Sequence, residues 1–146
     1  MTMQEQNYKN HTRMVTSFHY VFSGIILVAL ICSIINLVQK FISGEGILGA
    51  FILILLTISV LLAGFFARSF ALKAQDRAIR AEENFRHFLL TGKPMDRALQ
   101  MGQILALRFA SDDEFIALSQ KAITENLGSK DIKQAIQNWK ADTYRV

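Results

Sequence analysis

The chain of 146 residues has one cysteine, one proline and one tryptophan. A single cysteine excludes a disulfide framework within the chain. A single proline leaves long helices almost unbroken, because proline is the residue that removes a backbone donor and blocks the preceding turn. Charge is also missing from two long stretches. No Asp, Glu, Lys or Arg lies between Phe18 and Gln39, and none between Ile47 and Ala67. There is no CxxC, HExxH, GxGxxG or phosphate-binding loop, and Gly92-Lys93 lacks the glycines that would have to precede it. His11 and His19 stand eight apart and His87 lies far along the chain, so the histidines do not form a shared metal or haem site. These absences leave nucleophilic, metal-assisted and phosphoryl-transfer chemistry without their usual residues. We expect no enzyme, no cofactor and no metal.

What is present is apolar: 51% of the chain is hydrophobic, and most of that lies between Phe18 and Ala67. Two charge-free runs, about 18–39 and 47–66, each match the roughly 20 residues that cross a hydrocarbon core of about 30 Å. Between them, 41–46 carries two glycines, a serine and a glutamate, which reads as a short outer loop between antiparallel helices. Residues 18–67 are therefore expected to form a transmembrane hairpin. Cys32 falls in the first run and reads as a small packing residue. Residues 1–17 are polar and read as a cytoplasmic N-terminal segment. Residues 68–146 hold 13 Lys/Arg and 10 Asp/Glu, interspersed, which describes a solvated surface and not a nucleic-acid arm. Lys9 and Arg13 precede the first run, and Arg68, Lys73, Arg77 and Arg80 follow the second, so the positive-inside bias puts both termini in the cytoplasm.

The helix that starts at Ile47 runs on to about Leu90, where Thr91-Gly92-Lys93-Pro94 stops it. Asp76/Arg80 and Glu82/Arg86 stand at the i, i+4 spacing of helical ion pairs. Three further helices are expected. One covers about 96–109. One starts from the capping box Ser111-Asp112-Asp113-Glu114. The last is capped by Ser129, with Ile132, Ala135, Ile136 and Trp139 on one face. Asp142 and Arg145 are placed to pair. The expected fold is all-α: a two-helix transmembrane hairpin whose second helix extends into the cytoplasm, then a small bundle of about three helices in 68–146.

One seam runs down the long helix at spacings of three and four. It passes from Ala50, Leu53, Thr57 and Val60 through Gly64, Ala67, Ala71, Ala74, Ala78 and Ala81 to Phe85 and Phe88. Small residues let helix backbones approach closely in lipid, and the same seven-residue repeat makes a left-handed supercoil in water. The seam is covered by tail helices folding back, is used for self-association, or marks only alanine as the best helix former. Asn36, Ser33 and Thr57 are polar groups inside the two runs and are expected to make contacts between helices, since an unpaired buried amide is costly. Arg68, Lys73 and Arg77 sit where lipid headgroups would be met.

Gln6-Asn7-Tyr8-Lys9-Asn10-His11 stands ahead of the two runs. The tail carries Gln103-Ile104-Leu105-Ala106-Leu107-Arg108-Phe109-Ala110-Ser111-Asp112-Asp113-Glu114-Phe115, then Ile132 through Trp139 to Arg145-Val146. In these stretches the chain resembles a family of small two-span bacterial membrane proteins of unknown function, over nearly its whole length. The resemblance implies that architecture and carries no activity, cofactor or catalytic residue. The expected location is the bacterial inner membrane. The expected role is non-enzymatic: an oligomerising or adaptor subunit whose partners are the lipid bilayer and a second copy or another protein, with no nucleic acid. The alternative is an oligomeric channel or transport-related pore formed by the second span.

Overall fold

Two glycines end the two long helices. Helix α1, Ser23–Ser43, stops where Gly44 takes φ 75° and donates its N–H to Lys40 O at 3.0 Å. Helix α2, Ile47–Thr91, stops where Gly92 takes φ 70° and donates to Phe88 O at 2.8 Å. Both glycines occupy the left-handed region, which a Cβ disfavours, and both satisfy a carbonyl that a helix end leaves open. The computed structural model describes residues 6–8, 10 and 14–142. Among them the fold is all-α, with five α-helices and no strand longer than an isolated bridge.

The described residues divide into two units, one of them Met14–Ala71. In it a π-helical segment, Ser17–Phe22, leads into α1, and the first half of α2 follows the turn Gly44-Glu45-Gly46. Ser23 Oγ donates to Phe18 O at 3.1 Å, five residues back, which is the π repeat. The helix continues through Phe41–Ser43, so the turn is shorter than the 41–46 loop read from the sequence. Ile26, Ser33, Ala50 and Thr57 are buried, whereas Ile25, Val28, Ile31, Ile35, Leu48 and Leu56 are exposed. Two helices, Ser17–Ser43 and Ile47–Thr91, are long and apolar enough to cross a membrane. Leaving this much aliphatic surface in water would forfeit about 25 cal/mol for each Å² left unburied.

The other unit takes the chain from Leu72 onward, together with the described residues before Met14. Helices α3, Met101–Leu107, α4, Asp112–Thr124, and α5, Ser129–Ala135, close around Leu107, Phe109, Phe115 and Ile132, all fully buried. The C-terminal half of α2 contributes Ile79 to this core. After α5 the chain turns extended at Ile136 and pairs with the α3–α4 connection. Ser111 N donates to Asn138 O at 3.0 Å and Lys140 N to Phe109 O at 2.7 Å, which brings the Trp139 ring 5.1 Å from Phe109.

Three local expectations are corrected here. Helix α3 starts at Met101 and not near Asp96, because Asp96 Oδ1 accepts the Ala98 N–H in a side-chain turn and Gln100, extended, donates its N–H to Gln103 Oε1 at 2.8 Å. Ser111 holds the N-cap of α4 but makes no side-chain cap, and the box stays open because the Ser111 N–H goes to Asn138 O and the Glu114 carboxylate to the N–H groups of Gln137 and Asn138. The last helix is capped at Gly128, whose N–H donates to Asp131 Oδ2 at 3.1 Å, and it ends four residues before Trp139, which sits in the bridge instead of on a helical face.

Candidate functional site

In the Met14–Ala71 unit only part of the seam is covered, for Leu53 and Val60 are exposed. Ala50 and Thr57 are buried, and a Cβ at Gly64 would overlap the edge of the Phe22 ring. The glycine is therefore what lets the ring lie against the backbone. Four residues further, the Arg68 guanidinium stands 5.8 Å above the Phe18 ring. The polar groups do not bridge the helices as expected. Ser33 Oγ donates to Leu30 O and Thr57 Oγ1 to Leu53 O, both at 2.9 Å within their own helices. A hydroxyl three or four residues beyond a carbonyl reaches it without a partner helix, and that local bond wins. Asn36 is half-buried, with no side-chain hydrogen bond among the described residues. Cys32 is exposed, and its neighbour Ser33 takes the inward position instead.

In the second unit the tail does fold back onto α2, but not onto the seam. It covers the face of Ile79, Glu83 and Arg86. Arg86 ties that face to the bundle. Its Nε donates to Asp112 Oδ1 at 2.6 Å, its Nη2 to Ala110 O at 2.8 Å and its Nη1 to Glu83 Oε2 at 3.1 Å. The guanidinium also lies 4.4 Å from the centre of the Phe115 ring, within cation–π range. So Arg86 pairs with Glu83 and Asp112, and not with Glu82; among the described residues no ion pair joins Asp76 to Arg80. Burial pushes the Glu83 carboxyl above its ordinary range, and the adjacent Arg86 opposes that shift without cancelling it.

What the bundle leaves open is the seam. Ala74, Ala78, Ala81, Phe85 and Phe88 are all exposed. At about 100° per residue they lie roughly 100–180° around the helix from Ile79. Phe85 is 61% exposed, Phe88 50% and the adjoining Leu89 67%. Ala67 and Ala71 are exposed as well. The seam residues therefore have two fates. Gly64 packs within the chain, whereas Ala67, Ala71, Ala74, Ala78, Ala81, Phe85 and Phe88 do not.

A family model matches residues 3–146, nearly the whole chain. The chain belongs to that family, a family of unknown function (DUF6526). No curated protein and no solved structure matches it. The resemblance drawn from the sequence agrees with this membership as a family of unknown function. The site in this DUF6526 chain therefore rests on its own geometry.

That geometry holds two polar features besides the open face. A cleft of about 870 Å³ is lined by Arg77, Arg80 and Arg97 over Met95, Leu99 and Ile104. Arg77, one of the expected headgroup residues, opens into this cleft; Lys73 is exposed on α2. A second cleft of about 420 Å³ runs beside His87, whose Nδ1 lies 2.9 Å from Lys93 O. His87 thus helps close the turn after α2. Among the described residues no three His, Cys, Asp or Glu side chains converge as a metal site.

Gln103, Arg108 and Gln6 were given no role from the sequence, and Glu114 was read only as part of a capping box. Buried Gln103 donates through Nε2 to Ala122 O and Leu127 O, each at 3.0 Å. Glu114 accepts from Gln137 N at 3.0 Å, Asn138 N at 2.8 Å and Asn138 Nδ2 at 2.9 Å. Arg108 pairs with Asp142 at 3.0 Å and lies over the Phe109 ring. The expected Asp142/Arg145 pairing falls on Arg145, which lies outside the described residues, as do Lys9, His11 and Arg13. Gln6, from the same polar N-terminal segment, accepts the Asp142 N–H at 2.7 Å. For Gln103 and Arg108 the one signal available was a long polar side chain among apolar residues; Gln6 and Glu114 stand in polar stretches and carried none.

Proposed function

We propose that this is a non-enzymatic integral membrane protein that works through helix–helix contacts, as an oligomerising or adaptor subunit. In this reading α1 and the first half of α2 form an antiparallel transmembrane hairpin in the bacterial inner membrane. Both termini and the bundle lie in the cytoplasm. The observation that carries the reading is the open apolar face of α2. The bundle has a complete core of its own, so Phe85, Phe88 and Leu89 are not held out for want of a fold. Exposed apolar faces of this kind mark interaction surfaces. The charge distribution supports the orientation, because Arg68, Lys73, Arg77 and Arg80 all follow the second apolar run.

The alternative, a pore formed by several copies of the second span, needs the Ala50-to-Gly64 face to turn toward an axis. It draws less support, because Ala50 and Thr57 are buried and Phe22 lies on Gly64. Reporter fusions after Val146 and within Gly44-Glu45-Gly46 test the arrangement. A C-terminal reporter active only in the cytoplasm, with a turn reporter active only outside, is expected. A C-terminal signal from outside the membrane would overturn it.

A further inference from the structure

The open face of α2 has a register. Counted in heptads, Ala71, Ala78 and Phe85 fall at a, and Ala74, Ala81 and Phe88 fall at d. The positions that flank this seam then become informative. Arg77 falls at g and Glu82 at the following e, five residues on. In a parallel two-stranded coiled coil the g residue of one helix faces the e residue of the next heptad on its partner. An Arg at g with a Glu five residues later is therefore complementary to a second copy of itself in parallel, in-register pairing. Both side chains are exposed, and neither belongs to an ion pair among the described residues. Glu82 looks like a helical partner for Arg86, but Arg86 is engaged by Glu83 and Asp112. Leu89, at the next e position, widens the apolar strip at its far end.

We propose that the face of α2 from Ala74 to Phe88 packs against the same face of a second copy, parallel and in register, with Arg77 of each chain against Glu82 of the other. This rests on the membrane reading above and goes further by naming the partner. Copies inserted in the same sense hold their α2 helices parallel, which is the orientation that the charges favour. The contact covers only about two heptads and would be marginal between free helices. Confinement to one bilayer raises the effective concentration and makes a short contact sufficient. Alanine at three of the a and d positions permits close backbone approach, and Phe85 and Phe88 close the end of the strip.

The test uses the full chain in mild detergent and in vesicles, with Cys32→Ser as background. Ala78→Cys, at an a position, is expected to form a disulfide-linked dimer on mild oxidation. Lys73→Cys, at the outward c position, is expected not to. Arg77→Glu and Glu82→Arg should each lower the linked fraction about fivefold, and the double exchange should restore it to about the starting level, as expected for two reciprocal ion pairs reversed in sign. Neither residue belongs to the bundle core, so circular dichroism should show unchanged helicity in each variant. Equal linking from both cysteine positions, or no recovery in the double exchange, would overturn the proposal. A monomeric chain whose reporters still place both ends in the cytoplasm would defeat the dimer and leave the membrane arrangement standing. Reporters outside the membrane would defeat the arrangement itself.

Discussion

Removing Arg86 tests how the bundle is held to the long helix. Arg86→Met keeps most of the volume and loses the charge. Glu83 and Arg86 are both well buried, with side chains 10% and 11% exposed, so their pairing is only weakly screened. Taking away one partner of such a pair costs about 3–5 kcal/mol, because the other charge stays buried and unpaired. A unit of about 70 residues at roughly 0.05–0.15 kcal/mol per residue has only about 4–10 kcal/mol to lose. At about 4–8 °C per kcal/mol for a domain of this size, the melting temperature should fall by at least about 12 °C. Circular dichroism of the detergent-solubilised chain would follow this loss. The variant Glu83→Gln/Arg86→Met removes the stranded carboxylate and should recover about 2 kcal/mol.

The same pair predicts a pH dependence with a definite sign. Burial raises the Glu83 carboxyl above its unfolded value, and Arg86 holds it down in part. The folded state therefore binds more protons than the unfolded state between the two pKa values. The contribution of this group to stability is greatest below the unfolded pKa, falls as pH rises through the folded pKa, and is flat above it. Without Arg86 the folded pKa rises further and the window widens upward. Arg86→Met should thus regain stability on acidification toward about pH 5 relative to the unsubstituted chain, and the double variant should lose that recovery. A loss below about 1 kcal/mol in Arg86→Met, or an Arg86→Met profile parallel to that of the unsubstituted chain, would refute the account of Arg86 as the charge that offsets Glu83.

Two further substitutions probe the other close contacts. Glu114→Ala strands the N–H groups of Gln137 and Asn138; chemical unfolding should show a loss of about 2–3 kcal/mol, since bonds to a charged acceptor are worth about 1.5–3 kcal/mol each and water replaces part of them. Gly64→Ala drives a methyl group into the Phe22 ring; thermal unfolding in detergent should register about 1–3 kcal/mol of overpacking, and Phe22→Ala added to it should recover part of that loss.

Helix existence was legible, and the reason is local. Charge-free runs, glycines at helix ends and an apolar stripe at period 3.6 depend only on neighbouring residues, so α1, α2 and α4 stand close to where the pattern puts them. The start of α3, the end of α5 and the place of Trp139 were not legible, because distant partners decide them. Ser111-Asp112-Asp113-Glu114 has the spacing of a capping box, yet the Glu114 carboxylate is drawn to the unpaired N–H groups of residues 137 and 138. Those groups need an acceptor only because the chain after α5 runs alongside Ala110. Nothing within four residues of Glu114 announces that need. Glu82 and Arg86 have ideal spacing too, but Glu83 is the carboxylate that turns inward with Arg86.

The seam shows where such reading stops. Spacings of three and four identify one stripe of small residues from Ala50 to Phe88, and they say only that the stripe suits close packing. They do not say against what. In one unit Ala50 and Thr57 are buried, and Gly64 is spent on accommodating Phe22. In the other, the bundle takes in the face of Ile79, because Ile79 offers a large aliphatic group and Arg86 and Glu83 beside it offer bonds that alanine has no means to make. A bundle docked on Ala74, Ala78 and Ala81 would bury less apolar area per residue and forgo the bonds from Arg86 to Asp112 and Ala110. The alanine face is thus the worse surface for the chain's own core and the better one for a like helix, whose backbone can come close only where side chains are small. Its exposure follows from that competition, and so does the expectation that a partner helix supplies the cover.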